Sequence, residues 1–306
     1  MMPQRRRIVR IAAFIAAILL LAAAVFSIGR SAPTIEQVRA AIVHPDPIKV
    51  LLGVVALLVN LVACGGIFHA LLAPFGRLGR FEMVQLIATS SVLNYLPLRP
   101  GLVGRIAHQN VVNGIPLQRS AVSVVEAGIV CAFSIVWLGA SVALAQWSGA
   151  ETLGWIVAAV PSLGWCARRT KSPTTAQRLL NSLAWRQVDL LAWGTRYWAV
   201  FGLLGVSLSP LDCARAVCIG GAANLVPFIG NGLGIREWAI GLGGERMALW
   251  STDVGLAAEL LNRATDIAVA VPIGLICGVP IARRLRAAMA ARGETAIVDA
   301  LHSSGG

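Results

Sequence analysis

Two stretches of the sequence carry the same order of chemically unusual residues. One is LNYLPLRPGLVGR, residues 93–105, and the other is ANLVPFIGNGLGIR, residues 223–236. Each reads Asn, two residues, Pro, then glycines, then Arg. The residues are Asn94, Pro97, Gly101, Gly104 and Arg105 in the first, and Asn224, Pro227, Gly232, Gly234 and Arg236 in the second, where Glu237 follows directly. Proline removes a backbone donor and restricts the residue before it. Glycine admits positive φ and close backbone approach. Such a stretch predicts a helix that stops, leaving N–H and C=O groups without helical partners beside a guanidinium. Free amides and an arginine are the chemistry that holds an anion such as a phosphate. The competing reading of either stretch is a Pro/Gly kink with an arginine snorkelling at a helix end.

A second group of charges lies in the last long apolar stretch. Glu259, Arg263 and Asp266 follow one another at four and three residues, which puts them on one helix face. Charges inside apolar helices usually face a bundle interior and mark a pathway. The alternative is self-neutralisation, with Arg263 paired to both acids. Asp189 and Arg196 also share a face, with Asp189 expected near the lipid headgroups. Glu126 has no local basic partner by sequence; it is expected either to meet Arg105, Arg236 or Arg263 across the bundle or to sit near the inner interface.

The elements that position these residues follow from composition. The chain has 306 residues, 57% hydrophobic and 13% charged, with mean hydropathy +0.75. A soluble domain of this length carries far more polar surface. Apolar segments fall near 8–29, 48–73, 82–98, 119–147, 152–166, 187–208, 212–229, 236–249 and 253–279, and several approach the ~20 residues that cross a bilayer core of about 30 Å. The alternation of a membrane β-barrel is absent. The expected fold is therefore all-α: a polytopic helical membrane bundle, with residues 1–282 as a single transmembrane domain and 283–306 as a cytoplasmic, disordered tail. The basic N-terminus is followed by an apolar run from Ile8 to Ile28, longer than a signal-peptide core, and reads as a retained first helix.

The net charge of +12 sits mostly in short loops, where orientation and anionic headgroups account for it; nucleic acid is not an expected partner. With Arg5, Arg6, Arg7 and Arg10 inside, six full spans and two re-entrant elements at 82–113 and 212–249, or two short spans at each of those sites, place Arg77, Arg80, Arg119, the RRTKSPTTAQR loop and RRLR at 283–286 on the same side. Basic residues inside then outnumber those outside roughly three to one. The two broken elements enter from opposite faces, the pattern of an inverted-repeat transporter. Trp147, Trp185, Trp193 and Trp250 fall near segment ends, as interfacial anchors do. The six cysteines lie in or beside apolar segments without a CxxC or a metal-ligand partner and read as packing residues.

At these residues the chain resembles a family. NLVPFIGNGLGIREWAI is similar to the second motif of the flippase-like transmembrane region of lysylphosphatidylglycerol synthases, which also occurs as a stand-alone membrane protein: Pro, a Gly-rich turn, then Gly-x-Arg-Glu. LNYLPLRPGLVGR resembles the first motif, and the resemblance covers most of residues 48–279. Where the family's first motif continues with Arg, Gly-Glu and a further Arg, this chain has Leu102, Gly104-Arg105 and His108. The synthases' soluble aminoacyl-transfer domain is missing, so lipid lysylation is not implied. The resemblance implies movement of an anionic phospholipid or lipid-linked intermediate between leaflets. Its headgroup would be held by the two Gly-rich breaks and Arg236, with Arg105 at the opposite gate and Glu237 offsetting Arg236.

Two other functions fit the same sequence. One is an ion-coupled transporter of a small anion, with Glu126, Glu259 or Asp266 as coupling acid; the other is a non-transporting scaffold for cell-envelope assembly. No Ser/His pair, Asp dyad or His–metal set suggests an intramembrane enzyme. No cofactor or metal is expected, and the expected partners are membrane lipids with anionic headgroups. High Ala and Arg with only Lys49 and Lys171 as lysines point to a GC-rich bacterium, hence to its inner membrane with both termini cytoplasmic.

Overall fold

The computed structural model describes residues 2–95, 100–169, 173–225 and 232–303. These form eleven α-helices: α1 (Met2–Gly29), α2 (Ala32–Val43), α3 (Pro47–Leu72), α4 (Arg80–Leu93), α5 (Pro100–Val111), α6 (Leu117–Ser148), α7 (Glu151–Ala159), α8 (Thr175–Leu203), α9 (Pro210–Asn224), α10 (Ile235–Arg246) and α11 (Thr252–Ser303). No strand occurs among the described residues. The chain is a helical bundle, as its composition requires.

Local sequence sets the helix ends. Asp46 accepts hydrogen bonds from the amides of Ile48 and Lys49, with Pro47 at the first helical position of α3. Thr174 with Gln177, and Ser209 with Asp212, form reciprocal capping boxes at the starts of α8 and α9. Gly149, at φ 65°, ends α6. Residues 30–47, between the first two apolar segments, hold α2, which meets α1 at 99°; Pro33, in its first turn, suits a helix start.

Three described helices are long and apolar enough to cross a membrane: α3 with its 3₁₀ extension to Phe75, α6, and α11 from Thr252 to Ala291. The bent α1–α2 pair is a fourth if it forms one span. Two expected spans differ. Residues 152–166 give only the nine-residue α7 before the backbone tightens into a 3₁₀ stretch over Val160–Arg169, because Pro161 cannot donate within an α-helix. The expected span at 187–208 belongs to α8, a 29-residue helix that carries Arg178, Arg186, Asp189 and Arg196 and so reads as less apolar than the other long helices. The tail expected beyond Ala282 continues α11 to Ser303, as its Ala- and Arg-rich sequence favours.

The bundle buries a set of charged groups among its apolar core while apolar side chains cover much of its surface. Val125, Val136 and Ile276 are 63, 70 and 71% exposed, while Arg178, Asp189, Arg196, Arg236, Glu237 and Glu259 are buried. Water would select the reverse. The antiparallel α3–α8 pair is the spine. Lys49 Nζ donates to the Gly202 carbonyl at 2.9 Å, Asn60 Nδ2 to Asp189 Oδ1, Ser182 Oγ to the Ile67 carbonyl at 3.2 Å, and Arg178 Nη1 to the Leu71 carbonyl at 2.9 Å. An apolar core around Tyr197, Phe201, Ile240 and Trp250 joins α8, α9, α10 and α11.

Candidate functional site

The second break positions its residues through its glycines. α9 ends at Asn224, and α10 starts after Gly234. Gly232 and Gly234 have φ of 63° and 79°, the left-handed region the sequence predicts for them. A Cβ on Gly232 would lie 2.7 Å from Asn224 Oδ1, and one on Gly234 2.7 Å from the Ala17 carbonyl oxygen of α1. The turn is thus seated on α1, where Trp238 Nε1 also donates to the Leu20 carbonyl at 3.0 Å. Arg236 and Glu237 fall in the first turn of α10 and point at α11.

There the charges cross-pair. Arg236 meets Glu259, and Arg263 Nε donates to Glu237 Oε1 at 2.5 Å. Asn262, between the two acidic positions of α11, donates to Glu259 at 3.3 Å and accepts from Arg196 Nε and Nη2 at 3.1 and 2.6 Å. Asp266 accepts from Arg196 at 2.5 Å and lies 3.7 Å from Arg236 Nη2. Both arginines sit near the Trp193 ring, at 5.3 Å for Arg236 and 6.0 Å for Arg196. Three guanidiniums and three carboxylates therefore balance within a buried cluster, as a low-dielectric interior demands.

The cluster opens into a cavity of about 270 Å³. Arg196, Arg236, Arg263, Asp266 and Asn224 line it, together with Asn60 of α3 and with Ser91 and Tyr95 from the end of α4. Leu57, Leu61, Trp193 and Ala270 complete its wall, so the cavity sets charged groups beside apolar ones in a bundle whose surface is largely apolar. It collects residues from the end of α4, just before the first break, and from both sides of the second.

The first break is built differently. Asn94 caps α4, and its Oδ1 accepts from the Leu102 amide at 3.1 Å, tying α4 to α5. Gly101 lets α5 approach the Ser90 carbonyl. Contrary to the expectation of free backbone there, α5 starts at Pro100, so Gly101, Gly104 and Arg105 are helical. Gly104 faces open space. Arg105 is buried over the Phe68 ring at 3.8 Å, and none of these residues lines the cavity. Pro97 and Pro227 lie outside the described residues.

Other expectations are corrected. Glu126 joins neither Arg105, Arg236 nor Arg263; it pairs with Arg119, two turns earlier on α6, at 3.0 Å, and with Arg178 at 3.8 Å. Arg263, one reading of which has it pair with both acids of its own helix, reaches across to Glu237 of α10. Glu237 correspondingly pairs with Arg263 instead of Arg236. Asp189 is at the middle of α8 and fully buried, held by Arg186 and Asn60. Of the four tryptophans expected as anchors, Trp147 is exposed; Trp193 lines the cavity, Trp185 packs on Gly66 and Trp250 is buried. His108 contacts Glu82 at 3.0 Å, at the end of α4 away from the cavity.

Sequence reasoning passed over Asn60, Asn262 and the part Arg196 and Trp193 play. Asn262 was legible, since it shares the face of Glu259 and Asp266. Asn60 was too, as the lone amide in an apolar run. Among the described residues no group of three or more His, Cys, Asp or Glu converges as a metal site.

No family model matches the chain. Comparison with curated proteins and with solved structures likewise finds no match. The function therefore has to be argued from the cavity itself.

Proposed function

We propose that the protein is a multi-pass membrane protein that moves an anionic phospholipid, or a lipid-linked intermediate, from one leaflet to the other. The observation that carries this reading is the polar cavity with three arginines inside a bundle clad in exposed Val, Ile and Leu. Only a chain surrounded by lipid gains from that inversion, and intramembrane charges in such bundles mark substrate paths. Arg196 and Arg236 present guanidiniums to the cavity, the geometry that grips phosphate oxygens. The first turn of α10, with its N-terminal amides, adds partial positive charge beside Arg236. The headgroup enters the cavity while its acyl chains stay in the bilayer. The motif at 223–236, with Arg236 in the cavity, and the bias of basic loops to one side support a bundle of the lysylphosphatidylglycerol-synthase flippase type in a bacterial inner membrane.

The cavity's volume favours a second reading as well, since about 270 Å³ also accommodates a small soluble anion. One assay separates the two. Full-length protein is reconstituted in liposomes, and transfer of fluorescent phosphatidylglycerol and phosphatidylcholine is measured beside uptake of radiolabelled phosphate. The lipid reading expects transfer of phosphatidylglycerol, reduced at least tenfold by Arg236→Lys and by Asn224→Ala. Phosphate uptake without lipid transfer supports the second reading. Neither activity from folded protein contradicts both and leaves the scaffold role.

A further inference from the structure

The three acids of the cluster are not equivalent. Glu237 and Glu259 are completely shielded, each holding one arginine in place. Asp266 is the one that lines the cavity, with its side chain 16% exposed. Its carboxylate also reaches two cations, Arg196 and Arg236. Neither arginine depends on it for position: Arg236 keeps Glu259, and Arg196 keeps the Asn262 amide oxygen through two hydrogen bonds. Asp266 thus occupies the place between two pre-positioned guanidiniums where a phosphate would sit. We propose that Asp266 is a tethered competitor for the anion, and that its protonation releases Arg196 and Arg236 so that one proton enters with each phosphate group bound.

This rests on the anion reading of the cavity and adds the coupling ion. Charge balance dictates the stoichiometry. At rest Arg196, Arg236 and Arg263 are offset by Glu237, Glu259 and Asp266. A proton on an Asp266 carboxylate oxygen leaves the cluster with one excess positive charge. A monoanionic phosphate ester restores neutrality, so the buried cluster need not carry a net charge in the bound state. No bond in the anion is broken; the proton comes from water and returns to it when the anion leaves. Asp266 meets Arg196 from α8 and Arg236 from α10, and Glu237 of α10 with Glu259, Asn262 and Arg263 of its own helix complete the charge cluster around these arginines. Tyr95 and Ser91 come from α4, and the neutral Asn60 and Asn224 from α3 and α9. Arg105 of α5 faces Phe68 instead, and the side-chain bond from α1 to α11 is made at Asp253, far from Asp266 in sequence.

The test is binding to the full-length protein in detergent, from about pH 8 to about pH 5, with phosphatidylglycerol carrying a fluorophore on its acyl chain and with inorganic phosphate. One proton per anion makes the dissociation constant fall about tenfold per pH unit while Asp266 is ionised. A weakly buffered solution should also lose one proton per anion bound. Asp266→Asn should bind without that slope, and at high pH as tightly as the wild type does at low pH; Asp266→Ser serves as the second variant. Proton uptake with phosphatidylglycerol alone assigns the site to a headgroup, and uptake with phosphate in excess of that seen with Asp266→Asn, which subtracts the anion's own titration, assigns it to a soluble anion; both support the coupling. Binding with no pH dependence and no proton uptake overturns it and leaves the anion site standing. No binding of either probe at any pH overturns both. Loss of binding in folded Asp266→Asn overturns the tethered-competitor role.

Discussion

Arg236 and Glu237 are neighbours in sequence yet serve different partners, and this has energetic consequences. Each arginine–carboxylate pair between α10 and α11 is buried, so deleting one member strands a charge. Glu237→Gln or Arg263→Gln alone is expected to destabilise the protein by about 3–5 kcal/mol, and the double variant by clearly less than the sum. Thermal unfolding in detergent measures this. The glycines separate by the same logic. Gly234→Ala must adopt a positive φ against the Ala17 carbonyl and is expected to cost about 1–3 kcal/mol. Gly104→Ala, in open space on a helix, is expected to be neutral or to stabilise by up to about 1 kcal/mol. Equal effects would mean that the two breaks are built alike.

At the scale of elements, the α3–α8 seam carries polar groups from one end of the pair to the other. Asn60 links this seam to the cavity by lining one and bonding Asp189 in the other. Asn60→Leu leaves Asp189 with Arg186 but without its amide donor. The expected cost is about 1–3 kcal/mol, again read from unfolding. The helices themselves were largely legible, because apolar runs bounded by Pro47, Pro210 and Gly149 coincide with helix ends. The positive φ of Gly232 and Gly234 was legible for the same local reason. Partner choice was not. Glu126 with Arg119, and Arg263 with Glu237, depend on how helices are rotated against each other, which residue spacing on a single helix does not determine. The symmetry of the two motifs also overstated their likeness, since Pro100 starts a helix immediately and draws Gly101 and Arg105 into it.

On the scale of the molecule, the apolar exterior and charged interior define an orientation that loop charges make testable. In a cysteine-free background, Ser148→Cys, at the end of α6, should react with a membrane-impermeant maleimide on intact cells. Thr174→Cys, ahead of α8, should react only after the cells are opened. Labelling of both from outside would contradict the proposed topology. The long α11, 52 residues with Pro272 and Pro280 inside it, is longer than a bilayer core at 1.5 Å per residue, and the proposed topology puts its C-terminal end and the RRLR segment on the cytoplasmic side.

In the proposed function a lipid phosphate occupies the cavity between Arg196 and Arg236. A structure of the protein in phosphatidylglycerol nanodiscs is the test. Headgroup density is expected within hydrogen-bond distance of both guanidiniums, with Asp266 displaced from at least one of them. Lipid density confined to the outer surface, with Asp266 still bridging both arginines at low and high pH, would contradict it.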